Sequence, residues 1–164
     1  MMKRWVVSLF VVLALSAGVV AAQPEAQSVV VADTRAVEKV FTAWQPFQGG
    51  VMMWFQDTRQ IWVFTNTDSR VTVYPDLWNG SSTVNVTAPV GLFTPQRGFG
   101  AIWQALGGSS GLLRWAMSPE VGYDSGARRV VGSELQIDGP GDTEYGVTML
   151  PNSNTGIFRV IDIG

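Results

Sequence analysis

Few residues in this chain combine the types and the spacing that chemistry requires. Gly107-Gly-Ser109-Ser-Gly111 satisfies the GxSxG pattern of a hydrolase nucleophile elbow. Such an elbow joins a strand to a following helix. Here the motif follows a stretch of helical periodicity, and the chain has no histidine to act as base. It reads as a helix stop and turn. Asp142 and Glu144 lie two apart in a stretch of strand character and could share a face, as paired carboxylates do in glycosidases, but a solvated strand edge accounts for them better. Asp138 with Asp142 and Glu144 offers oxygen donors for calcium without the ligand order of an EF-hand, and Pro140 supplies no side-chain ligand. Zinc and copper would lack their usual imidazole and thiolate donors. Arg97-Gly98-Phe99-Gly100 follows no strand with a GxGxxG run, so it reads as a helix entry and not a phosphate loop. The sequence therefore predicts a non-enzyme with no catalytic, metal or cofactor residues.

The positive signal comes from tryptophan. Six of the seven tryptophans lie beyond residue 22, and indole faces with nearby amides and carboxylates are a common means of holding sugar rings. Trp54, Trp62 and Trp103 fall within apolar patterns and are expected in the core. Trp44 and Trp115 are less patterned. Trp78 stands in the polar loop PDLWNGSS beside Asp76 and Asn79, and these three are the candidate ligand-binding residues, with Trp78 expected at the surface.

Charge and targeting narrow the partners. The chain carries a formal net charge of −2, and its one basic doublet beyond the N-terminus is Arg128-Arg129, so there is no electrostatic footprint for a nucleic-acid backbone. Lys3-Arg4, the apolar run Trp5 to Val20 and the small residues Ala21-Ala22 form a secretory signal over residues 1–22. An uncleaved segment would be the one route to a membrane. Residues 23–32 read as a linker and 33–164 as a single domain. The expected location is secreted, extracellular or cell-envelope associated. No cysteine is present, so packing alone must hold the fold.

The elements that must position these residues are mostly strands. GVMMWFQDTRQIWVF at 50–64 recurs without gaps as GVTMLPNSNTGIFRV at 146–160, with Gly50, Val51, Met53 and Ile61 repeated as Gly146, Val147, Met149 and Ile157. Each copy has a polar, turn-rich middle and predicts a hairpin. In the first copy both faces of the strands Val51–Phe55 and Gln60–Thr65 are apolar, which predicts cover on each side. Further strands are expected at Arg70–Tyr74, Thr83–Thr87 and Ser133–Asp138, with a loop over Tyr123–Arg129. Phe99, Ile102, Trp103 and Leu106 form one helical stripe stopped by Gly107-Gly108, and a second helix is expected over Asp33–Trp44. The fold class is mainly β with one or two short helices, a small domain of two related β-hairpins around a central helix.

Trp103-x-x-Leu106-Gly107-Gly108-x-x-Gly111-x-Leu113, continued by Trp115-Ala116-x-Ser118-x-Glu120, resembles the core of LGFP repeats, and Phe47-Gln-Gly-Gly50-Val-Met-Met-Trp54 resembles the lead into their aromatic hairpin. Arg114 and Ala116 depart from the glycine and proline usual in that family. The resemblance implies a surface-attachment module of secreted or envelope-associated bacterial proteins, and not a catalyst. The expected function is a secreted non-catalytic module that binds cell-envelope or extracellular glycan, with cell-wall polysaccharide or a surface protein as partner. The alternative is a structural or protein–protein interaction domain. N-terminal sequencing of exported protein is expected to begin within about two residues of Gln23; a chain still starting at Met1 would refute cleavage.

Overall fold

The computed structural model describes residues 39–81, 84–125 and 128–163. The signal and linker lie outside them. Nine strands form one antiparallel sheet: β1 Val40–Phe47, β2 Gly50–Phe55, β3 Gln60–Thr65, β4 Arg70–Pro75, β5 Val121–Ser125, β6 Arg128–Val131, β7 Glu134–Asp138, β8 Thr143–Met149 and β9 Thr155–Asp162. A single α-helix, α1, spans Arg97–Ala105 among the described residues. The sheet order is β5-β1-β2-β3-β4-β9-β8-β7-β6, so its two outermost strands are consecutive in the chain. The sheet curls, and side chains bridge the approach of its ends. Tyr123 on β5 donates its hydroxyl to the Asp138 carbonyl at 2.9 Å. Arg128 on β6 pairs with Asp57 beyond β2 and lies 4.9 Å from the centre of the Phe55 ring.

The apolar content of β2 and β3 explains this shape. Successive side chains of a strand alternate between faces, and these strands are apolar on both. Met53, Phe55, Trp62, Phe64 and Val71 point to the inside of the curl, where they meet Ile137, Tyr145 and Val147 from β7 and β8. Ala43, Met52, Ile61 and Val63 point the other way and are covered by Phe99 and Trp103 of α1 with Leu113 and Ala116. The opposite half of the sheet has no such cover, and its outer face carries ion pairs beside exposed Val131 and Ile157. There Arg159 forks onto Glu134 at 2.7 and 2.9 Å, and Arg129 bonds Gln136 and Glu144.

Both sequence copies are hairpins, β2–β3 and β8–β9, yet they are not equivalent. Val51 faces Phe64, whereas Val147 faces Phe158 instead of Val160, a two-residue displacement that preserves which face each side chain occupies. Ile61 is 1 % exposed and Ile157 is 57 % exposed. The pattern therefore repeats while the environment does not, since α1 covers only the first copy.

Three local expectations are corrected. The helix over Asp33–Trp44 is replaced in its described part by β1, which is held between β2 and β5. Val40, Phe41 and Trp44 fit helical spacing, but pairing on both sides satisfies the backbone as a strand. Val84–Thr87 is irregular and not a strand, with Val84 buried against the helix-side core. Tyr123–Arg129 is not a loop throughout, because β5 and β6 occupy most of it. The helix stripe itself forms as expected, ending where Gly107 adopts a φ of 94°.

Trp103 ties α1 to the segment after it. Its ring is 2 % exposed, its indole N–H donates to the Arg114 carbonyl, and it lies 5.2 Å from the Trp115 ring. Trp103→Ala is expected to lower the unfolding free energy by about 3–5 kcal/mol, read from urea denaturation; a loss within about 0.5 kcal/mol would place the ring outside the core.

Candidate functional site

One row of side chains crosses five strands on the helix side of the sheet: Gly122, Ala43, Trp54, Ile61 and Tyr74 are successive cross-strand partners. The row is small at one end and large in the middle. Gly122 and Ala43 project little or nothing from β5 and β1, and the Phe41 ring packs over Gly122. Here lies a cavity of about 380 Å³ with Ala43 and Ile61 in its lining. Its aromatic walls are Phe41, Trp54, Trp78 and Phe99, and its charged groups are Asp76, Arg97 and Glu120. Phe41 and Trp54 meet edge to face with centroids 6.5 Å apart.

Two glycines let the walls of this space pack closely. A Cβ on Gly98 would lie 2.6 Å from Asp76 Oδ1 and 2.9 Å from Ile61 Cδ1, so only glycine lets the first turn of α1 approach the carboxylate so closely. Asp76 thereby lies against the positive end of the helix, which has no acidic residue of its own in the first turn. A Cβ on Gly122 would meet Phe41 Cζ at 2.7 Å.

The charged groups are arranged unequally. Arg97 Nη1 is 3.5 Å from Glu120 Oε1, and Arg97 adopts a φ of 52°, a left-handed conformation costly for a side-chain-bearing residue, at the rim of the cavity. Asp76 Oδ1 accepts the Trp78 backbone N–H at 3.0 Å, and Asp76 forms no ion pair among the described residues. Burial pushes the Glu120 carboxyl above the usual carboxylate range; Arg97 opposes that shift and the Asp76 charge adds to it. Trp54 contributes a further unsatisfied group, since its indole N–H is buried with no acceptor among the described residues. A buried donor left without a partner is costly to the fold.

The candidate residues read from the loop are divided by the structure. Asp76 and Trp78 line the cavity, and Trp78 is half-buried in its wall rather than standing free in solvent, with its indole N–H given to the Ser81 carbonyl. Asn79 is exposed, does not line the cavity, and accepts the Ser81 N–H through Oδ1. Trp54, expected wholly in the core, is half-buried and part of the wall. Sequence reasoning missed Phe41, Arg97, Gly122 and Glu120. Glu120 follows Ser118-Pro119 as an isolated acid, which was the one available signal.

The other carboxylates do not converge. Glu144 is buried and bonded by Arg129, and among the described residues no group of three or more Asp, Glu, His or Cys side chains is placed to hold a metal ion. No helix among the described residues is long and apolar enough to cross a membrane. No family model, curated protein or solved structure matches the chain.

The position of Glu120 has a consequence for stability. With its folded pKa raised, the unfolded chain releases this proton first as pH rises, so the group's contribution falls from the unfolded pKa upward until the folded pKa is passed. Glu120→Gln is expected to be more stable than the parent at about pH 7 and equal to it at about pH 3.5, compared by urea midpoints. An equal offset at both values would contradict the burial of the charge.

Proposed function

We propose that this chain is a secreted, non-catalytic binding module that holds a glycan of the cell envelope or the extracellular space in the aromatic cavity. The observation that carries the reading is the convergence in one cavity of two indoles, two further rings and side chains able to bond hydroxyl groups. Sugar rings present an apolar C–H face and a rim of hydroxyls, so a partner needs flat aromatic walls and a few fixed polar groups. Trp54 and Trp78 supply the first. Asp76, Arg97 and Glu120 supply the second. The cavity volume falls at the small end of ligand pockets, which suits one or two rings at the end of a chain or branch better than a long segment.

The resemblance to LGFP repeats belongs to this proposal, as do export by the N-terminal segment and placement at the cell surface. Of the residues that carry that resemblance, Trp54 and Glu120 line the cavity. Glu120, the acidic residue ending the motif, becomes a ligand group in this reading.

Retention on isolated cell-wall polysaccharide tests the proposal. The parent is expected to be retained and Trp78→Ala to be lost while its circular dichroism is unchanged. Gly122→Val, which introduces a strand-favouring residue on β5 and displaces the Phe41 ring from its place in the cavity wall, is expected to behave likewise. Folded variants retained as well as the parent would remove this cavity from the function, and the protein-interaction alternative would then lead.

A further inference from the structure

We propose that the cavity selects a ligand bearing an ammonium group, such as an amino sugar without its acetyl group or a quaternary-ammonium substituent on a polymer. This rests on the binding reading above and names the chemistry of its ligand. Phe41, Trp54 and Trp78 wall the same space as Asp76 and Glu120. The face of an aromatic ring is the negative end of its quadrupole, so several rings around one space attract a cation, and the attraction grows as water is excluded. A neutral sugar would use the rings through its C–H face and the carboxylates as hydroxyl acceptors, but it would not offset the charge of two carboxylates brought to one cavity.

The balance of fixed charge agrees. Arg97 faces Glu120 and offsets one carboxylate, while the end of α1 offsets about half a charge at Asp76. Negative charge remains in excess when both acids are ionised. The groups facing Glu120 are Arg97 from α1 and Asp76 from the segment after β4, and the second makes ionisation of Glu120 less favourable. A bound cation would relieve that repulsion, so cation binding expels the Glu120 proton and strengthens as pH rises. An anionic ligand would meet the reverse. Among the described residues, Arg97 is the one cationic side chain lining the cavity, and it already faces a carboxylate.

Calorimetric titration of the folded protein with choline, a glucosamine oligomer and the matching N-acetylglucosamine oligomer separates the outcomes. Choline keeps its charge at every pH, so any pH dependence of its binding reports the protein. Choline and the glucosamine oligomer are expected to bind, with the N-acetylated oligomer about tenfold weaker. Choline affinity is expected to rise between about pH 4 and about pH 7, and Glu120→Gln to weaken it and flatten that dependence. N-acetylated oligomer bound as tightly as the glucosamine form would overturn the ammonium inference and leave the glycan reading standing. Choline bound with neither oligomer would support the inference and overturn the glycan reading. Binding of none of the three would overturn both. Glu120→Gln that keeps the parent's choline affinity and pH dependence would remove the carboxylate from the selection.

Discussion

Strands β2 and β3 are apolar on both faces, and a chain without cysteine has to bury both by packing. The rest of the fold answers that requirement. One face is buried by curling the sheet, so that Met53, Phe55, Trp62 and Phe64 meet Ile137, Tyr145 and Val147 from the far strands. The other is buried by α1 and the segment after it through Phe99, Trp103, Leu113 and Ala116. Buried apolar surface contributes roughly 25 cal/mol per Å², so neither face could be left in water without a large loss. Curling also brings the chemically consecutive strands β5 and β6 to the two ends of the sheet order. Bonds from Tyr123 and Arg128 tie those ends to their surroundings and limit the exposure of edge backbone.

The cavity is the place where this cover is incomplete. The cross-strand row runs from Gly122 and Ala43, with little or no side chain, to Trp54, which forms a wall. The first turn of α1 comes close to the sheet because Gly98 has no side chain, and this brings Asp76 to the positive end of the helix. Arg97 and Glu120 then close the rim. The functional candidate is thus a consequence of side-chain size along one row, with charge placed around it by three separate chain segments. Its polar groups are paired unevenly, and the proposed ligand preference rests on that unevenness.

The predominantly β character was legible because alternation and turn chemistry are local signals. The same holds for α1, whose stripe and glycine stop lie within a few residues of each other. What escaped the sequence depends on contacts between distant segments. Val40, Phe41 and Trp44 fit a helix as well as a strand, and pairing with β2 and β5 decided between them. The repeat revealed two hairpins but not their different surroundings, since nothing local says that Ile61 will meet a helix and Ile157 will not. In the site, Asp76 and Trp78 were found because one polar loop holds them together. Phe41, Arg97, Glu120 and Gly122 come from other segments and meet the loop only after the sheet has curled and the helix has docked.

The central claim is that the row from Gly122 to Trp54, with the loop around Trp78, forms the ligand site. Indole N–H resonances offer the most direct measurement, because each tryptophan gives its own signal. On addition of a soluble cell-wall oligosaccharide, the Trp54 and Trp78 signals are expected to move together with ligand concentration, while those of Trp62 and Trp103 stay in place. Saturable shifts confined to other tryptophans, or none at Trp54 and Trp78 while the ligand is bound, would contradict the account.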